Sequence, residues 1–174
     1  MSPRFLTRLP ALLALVAPAA AHAAPPQLFP PDRNAAGTAA IILPAQITKL
    51  NDMDFGFVTV ATAGTAVVDS STDAISTTGG VLFAGGLPHA AKFEAVSPSK
   101  TVVHIRLPRQ AATLTRVGGT ETMDVDTWTI NGAATRNVVA RETFDFNVGA
   151  TLHVASGQVE GTSTGTFTVT IDYN

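Results

Sequence analysis

An all-β fold, an antiparallel β-sandwich, is predicted by three features of this 174-residue chain. First, Phe167, Val169, Ile171 and Tyr173 alternate strictly with Thr166, Thr168, Thr170 and Asp172. A period of two puts the apolar set on one face of a strand and the polar set on the other. Second, short runs of this kind recur, punctuated by Gly79-Gly80, Gly85-Gly86 and Gly118-Gly119 as turns. Third, Thr, Val and Gly are abundant and no stretch has a convincing helical period, which favours strands and tight turns.

The N-terminus reads as a processing segment. Arg4 and Arg8 are followed by the apolar run Leu9 to Ala20, and Ala21-His22-Ala23 fits a small-x-small cleavage site. The run is shorter than the roughly 20 residues a membrane helix needs. A mature chain beginning at Ala24 is expected, exported to the periplasm, cell surface or extracellular space. The expected organisation is a signal peptide over residues 1–23, a flexible leader over 24–38, and one sandwich domain over 39–174. Losing Arg4 and Arg8 leaves nine basic residues against thirteen acidic ones, a net charge of −4. No basic run and little aromatic content exist for nucleic acid. No later segment is apolar enough to span a bilayer. With no cysteine in the chain, stability must come from burial and sheet hydrogen bonding.

The elements follow in order. Ala39, Ile41, Leu43, Ala45 and Ile47 alternate as a first strand, with Pro44 marking an edge or a break. Leu50–Gly56 is expected to turn and drive Met53 and Phe55 inward. Short strands are then expected at Phe57–Val60, Thr65–Asp69, Gly80–Ala84, Ala91–Val96, Thr101–Leu107 and Ala112–Val117. The series continues with Glu121–Ile130, Thr143–Val148, Thr151–Ala155 and Gly165–Tyr173. Val103, Ile105 and Leu107 should face the core, as should Phe144, Phe146, Val148, Leu152 and Val154.

Candidate chemistry is sparse. Gly161-Thr-Ser163-Thr-Gly165 matches G-x-S-x-G in letters. A nucleophile elbow needs a strand before and a helix after, and here a strand follows. His89, His104 and His153 show no ligand spacing, so neither a metal nor a cofactor is expected. The pairs Asp52/Asp54, Asp69/Asp73 and Asp124/Asp126 read as solvated faces and Asx-turns. No catalytic residue is assigned, and an enzyme is not expected. Trp128 is out of phase with Met123 and Val125. A bulge near Thr127 would re-aim it into the core, and an exposed sugar-binding platform is the alternative.

The glycine fourteen residues from the end, the alternating strand and the penultimate tyrosine resemble the C-terminal signature of bacterial chaperone–usher pilus subunits. Further landmarks are Pro44-x-x-Ile47, Asp52-Met53-Asp54-Phe55-Gly56, Gly79-Gly80-Val81 and Ala91-Lys92-Phe93. Phe146-Asn-Val-Gly-Ala-Thr-Leu152 and the Gly165–Asn174 end complete the series. Taken in order, they resemble the bacterial domain of unknown function 4402 (the DUF-4402 family) over roughly Ala39 to Asn174. The DUF-4402 resemblance implies an exported, immunoglobulin-like or pilin-like β-sandwich; the likeness to pilus subunits implies in addition a structural or adhesive subunit of a pilus-like assembly joined by β-strand complementation. Phe167, Val169, Ile171 and Tyr173 would form the assembly strand. Ile41, Leu43, Ala45 and Ile47 would be either a donated strand or the domain's own first strand. A periplasmic chaperone, an usher and sister subunits are the implied partners. The alternative is a self-complete monomeric β-sandwich that binds a ligand or glycan.

Overall fold

A computed structural model describes residues 46–173. The expected signal peptide and leader, and with them Ile41, Leu43 and Ala45, lie outside the described residues. Eleven strands and no helix are present among them. They are β1 (Gln46–Asn51), β2 (Phe57–Val68), β3 (Ile75–Gly85), β4 (Ala91–Val96), β5 (Thr101–Arg106) and β6 (Ala112–Arg116). Then come β7 (Thr122–Ile130), β8 (Thr135–Val138), β9 (Thr143–Val154), β10 (Ser163–Thr164) and β11 (Thr170–Tyr173). All pairings are antiparallel, in one eight-stranded and one three-stranded sheet. The fold is an all-β antiparallel sandwich with a strongly curled larger sheet.

The curl comes from β9. Its first half, Thr143–Val148, pairs with β4. Its second half, Ala150–Val154, pairs with β2 along the same side, and β7 takes the other side. Yet β1–β4 and β2–β3 form one two-stranded ribbon, joined through the Asp54–His89 bridge. Both ends of that ribbon therefore lie on one side of β9, and its middle must arch. The bend falls where register shifts between Val60 and Gly64. Backbones touch there: a Cβ on Gly64 would sit 2.1 Å from the Thr78 carbonyl oxygen, and one on Gly79 2.4 Å from that of Ala63. Gly79 also has φ +67°, a region open to glycine and strained for most other residues.

The tip of the β2–β3 hairpin returns to the start of β4. Asp73 Oδ1 accepts the Ala90 amide and Oδ2 accepts Lys92 Nζ, both at 2.9 Å. Asp69 holds the turn by accepting the amides of Ser71 and Thr72.

Several expected strand boundaries are corrected. Phe57–Val60 and Thr65–Asp69 are one strand, because Ala61–Ala63 is absorbed by a bulge. Thr143–Val148 and Thr151–Ala155 are likewise one strand. Gly149 sits within it because a Cβ there would lie 2.3 Å from the Val68 carbonyl oxygen. β8 was not expected; Val138 is the only apolar residue of Thr-Arg-Asn-Val, so the sequence shows no apolar alternation even though burial alternates along the strand. The C-terminal strand is shorter than Gly165–Tyr173, since β10 pairs with β6 in the large sheet and β11 with β5 in the small one. Thr166–Val169 crosses between the sheets and enters no ladder.

The core has two clusters. One, under the arch, contains Phe55, Ala66, Val68, Val81, Val125, Leu152 and Val154. The other, between the sheets, contains Ala91, Phe93, Ala95, Ile105, Phe146 and Val148. Met53 and Trp128 pack against both. Burying each large apolar side chain contributes about 1.5–3 kcal/mol.

Candidate functional site: the C-terminal edge

The tail reaches the small sheet at Thr170. Thr170, Ile171, Asp172 and Tyr173 face Arg106, Ile105, His104 and Val103 across the ladder. β11 is the end strand of the order β11-β5-β8, so its outer side has no strand partner among the described residues. The alternation read from the sequence survives the crossing. Phe167, Val169 and Ile171 are half-buried, while Thr166, Thr168, Thr170 and Asp172 are exposed. All three apolar residues pack on the second cluster.

Phe167 anchors this edge. Its ring centroid lies 4.6 Å from that of Trp128 and 6.4 Å, edge-on, from that of Phe93. Phe93 in turn stacks on Phe146 at 5.3 Å. Trp128 reaches this position through a bulge: register shifts between Asp126 and Thr129, and Thr127 has φ +50°. That is the re-aiming its out-of-phase position suggested. The indole Nε1 donates to the Gln110 carbonyl at 3.3 Å. The outward face is polar. Arg106 and Asp172 pair across the strands, both about half exposed, a pair of small energetic weight.

The other proposed first-strand residue within the described region, Ile47, is in β1 opposite Ala95. All of β1 is exposed. The structure therefore does not bring Ile47 to the C-terminal edge; it holds it on β4.

The remaining candidates are dispersed. Ser163 lies in β10 opposite Arg116. His104 Nδ1 is 3.0 Å from Thr135 Oγ1, and His153 Nε2 is 2.7 Å from Asp126 Oδ1. That His153 contact, with Thr127 Oγ1, holds the Asp126 carboxyl below its usual range. Asp54 accepts the Gly56 amide at 2.7 Å, an Asx-turn, and Asp52 pairs with Lys49. Asp124 accepts Thr113 Oγ1. Among the described residues no group of three or more His, Cys, Asp or Glu could hold a metal ion. Nor is any helix there long and apolar enough to cross a membrane.

Sequence reasoning missed two features. Asp73 is a tertiary clamp as well as a turn residue, and its reach to Ala90 has no local signal. The partners of Phe167 come from β4 and β7, whose approach depends on distant register.

The family model described as "Domain of unknown function (DUF4402)" matches residues 45–173. The chain belongs to that family. No curated protein and no solved structure matches it.

Proposed function

We propose that this protein is an exported structural or adhesive subunit of a pilus-like surface assembly, joined to its neighbours by β-strand complementation. The observation that carries this reading is β11. It ends a sheet, its outer side lacks a strand partner among the described residues, and the apolar residues leading into it are only half-buried. An incoming strand would hydrogen-bond along β11 and cover Phe167, Val169 and Ile171 with alternate apolar side chains. The segment just before β1, with Ile41, Leu43 and Ala45, has the alternation such a strand needs. Supplied by a neighbouring copy, it would link subunits. A periplasmic chaperone would protect the same edge before assembly, and an usher would mediate exchange. In this reading the protein is not an enzyme.

The test adds a peptide copying residues 39–45, or the first strand of a co-encoded subunit, to the mature protein. Strand insertion raises the melting temperature and blocks oligomer growth. No effect, with a chain that stays monomeric at high concentration, would sink the proposal and leave a self-complete ligand- or glycan-binding module. Export is checked separately by intact mass, which should place the mature N-terminus at Ala24.

A further inference from the structure

Asn131-Gly132 lies between β7 and β8 and is the single Asn-Gly pair in the chain. When the amide nitrogen that follows an asparagine attacks the side-chain Cγ, a five-membered succinimide closes and ammonia leaves. Glycine, with no Cβ, hinders that attack least. The chain itself already holds the reacting atoms close together. The remaining barrier lies in losing the N–H proton and in placing charge on the side-chain oxygen.

The fold acts on both. Gly132 is exposed, with φ +75°, and its amide makes no hydrogen bond among the described residues. Solvent base can therefore reach its proton. The carbonyl of the same peptide unit, that of Asn131, accepts Arg136 Nη2 at 2.9 Å. A Cβ on Gly132 would lie 3.7 Å from that same nitrogen. A guanidinium on the carbonyl draws electron density from the attached nitrogen and favours the anion formed when the proton leaves. The electrophile is prepared as well. Asn131 Oδ1 accepts the Asn147 amide at 2.6 Å, in a partly buried site. As Gly132 N adds to Cγ, negative charge gathers on Oδ1, and a donor already aimed there stabilises it.

We infer that Asn131 is a self-modification site, at which Arg136 and the Asn147 amide speed closure of Gly132 N onto Asn131 Cγ. The Gly132 N–H proton passes to solvent base, the N–Cγ bond forms and the Cγ–Nδ2 bond breaks. Nδ2 takes a proton from water and leaves as ammonia. A second water then opens the ring at either carbonyl, leaving aspartate or isoaspartate at position 131. The two products differ in consequence. Aspartate keeps an oxygen for the Asn147 amide and adds a carboxylate near Arg136. Isoaspartate adds a methylene to the main chain and displaces the carbonyl that Arg136 holds, so it loosens the β7–β8 connection from β9. The site shares no residue with β11 and does not depend on the assembly reading.

The experiment incubates the mature chain at mildly alkaline pH, folded and in guanidinium chloride. Peptides spanning position 131 are separated and weighed over time, which resolves asparagine, aspartate and isoaspartate. The folded chain should convert Asn131 about tenfold faster than the unfolded one, a small share of what one aligned donor contributes in an enzyme. Asn137, also exposed but followed by β-branched Val138, should persist. Arg136→Lys, with its folding verified by the urea midpoint, should slow conversion in the folded chain and leave the unfolded rate unchanged. Conversion no faster in the folded chain than in the unfolded one would overturn the inference. So would a folded Arg136→Lys chain that converts as fast as the parent, or a variant slowed equally when unfolded.

Discussion

Arg136 Nη1 donates to the carbonyl oxygen of Asp145 at 2.8 Å, on β7's side of β9 but past the point where β7 ends. The same guanidinium donates to the carbonyls of Ala133 and Asn131, each at 2.9 Å. Asn131 finishes the edge, its Oδ1 accepting the Asn147 amide at 2.6 Å and its own amide donating to the Asn147 carbonyl. Two side chains thus do what a further strand would do. The Arg136 guanidinium also lies over the rings of Phe144 and Phe146, at 5.6 and 6.0 Å. Burial there lowers its pKa from the ordinary arginine value.

Arg136→Met should therefore destabilise the fold by about 2 kcal/mol or more, because it strands three carbonyls in a partly desolvated site. Arg136→Lys should recover less than half of that loss, since an ammonium lacks the planar fork. Urea midpoints of the two variants check both statements.

Asp73→Ala should cost about 1–2 kcal/mol by releasing the hairpin tip from Ala90 and Lys92. Asp73→Asn should be milder. It keeps an oxygen for the Ala90 amide and tolerates the φ of +59° found here. Chemical denaturation of the three proteins gives the order, and faster amide exchange at Ala90 in the Ala variant would identify the clamp.

Gly79→Ala should be among the most damaging single changes, at about 2–4 kcal/mol. It combines a positive φ with a Cβ driven into the Ala63 carbonyl. Gly118→Ala has a positive φ of +77° but nothing within 4 Å of its Cβ, so it should cost only about 1 kcal/mol. The difference in thermal midpoint separates steric collision from backbone strain.

Acid should lower the thermal midpoint over a defined window. Arg116 Nε holds the Glu121 carboxyl down to about 2, from a usual 4.5. Lys92 lowers Asp73, the Ser71 amide lowers Asp69, and His153 lowers Asp126. A depressed folded-state pKa stabilises the fold above the unfolded value and stops doing so as pH falls through the folded one. The Tm contribution of these carboxylates should hold down to about pH 5 and fall progressively towards about pH 2. Glu121→Gln should flatten part of that slope.

Trp128, the only tryptophan, reports directly on the C-terminal edge. A strand docked beside β11 would exclude water from the Trp128–Phe167 contact, so emission should shift to the blue. Phe167→Ala should abolish the shift. A peptide that raises Tm without changing emission binds elsewhere.

What could be read from the chain was whatever lies within one strand. Val103 and Ile105, Phe146 and Val148, and the Phe167-Val169-Ile171 series show their facing because a period of two is local. Trp128 was legible as a bulge because it broke that period. The single span of β9 was not, since Gly149 answers to the carbonyl of Val68, from a strand far back in the sequence. Nor was the crossing of Thr166–Val169 between sheets, which depends on where β5 and β6 lie. Asp69 makes the local turn its sequence suggests, while Asp73 answers to β4. At the candidate site the face was legible, but its aromatic wall of Phe93 and Trp128 was not.

The switch of β9 between two partners also sets an order of events. Val68 meets Ala150 and Ala91 meets Val148, so the arch cannot close until the chain has been made nearly to its end. Until then the β1–β4 and β2–β3 ribbon lacks the strand that ties its ends together. Contacts so distant in sequence make folding slow and leave partly made chains with open edges. A newly made molecule is therefore most vulnerable to aggregation before Thr143–Val154 docks, and substitutions that delay that docking should lower yield more than they lower the stability of the finished protein.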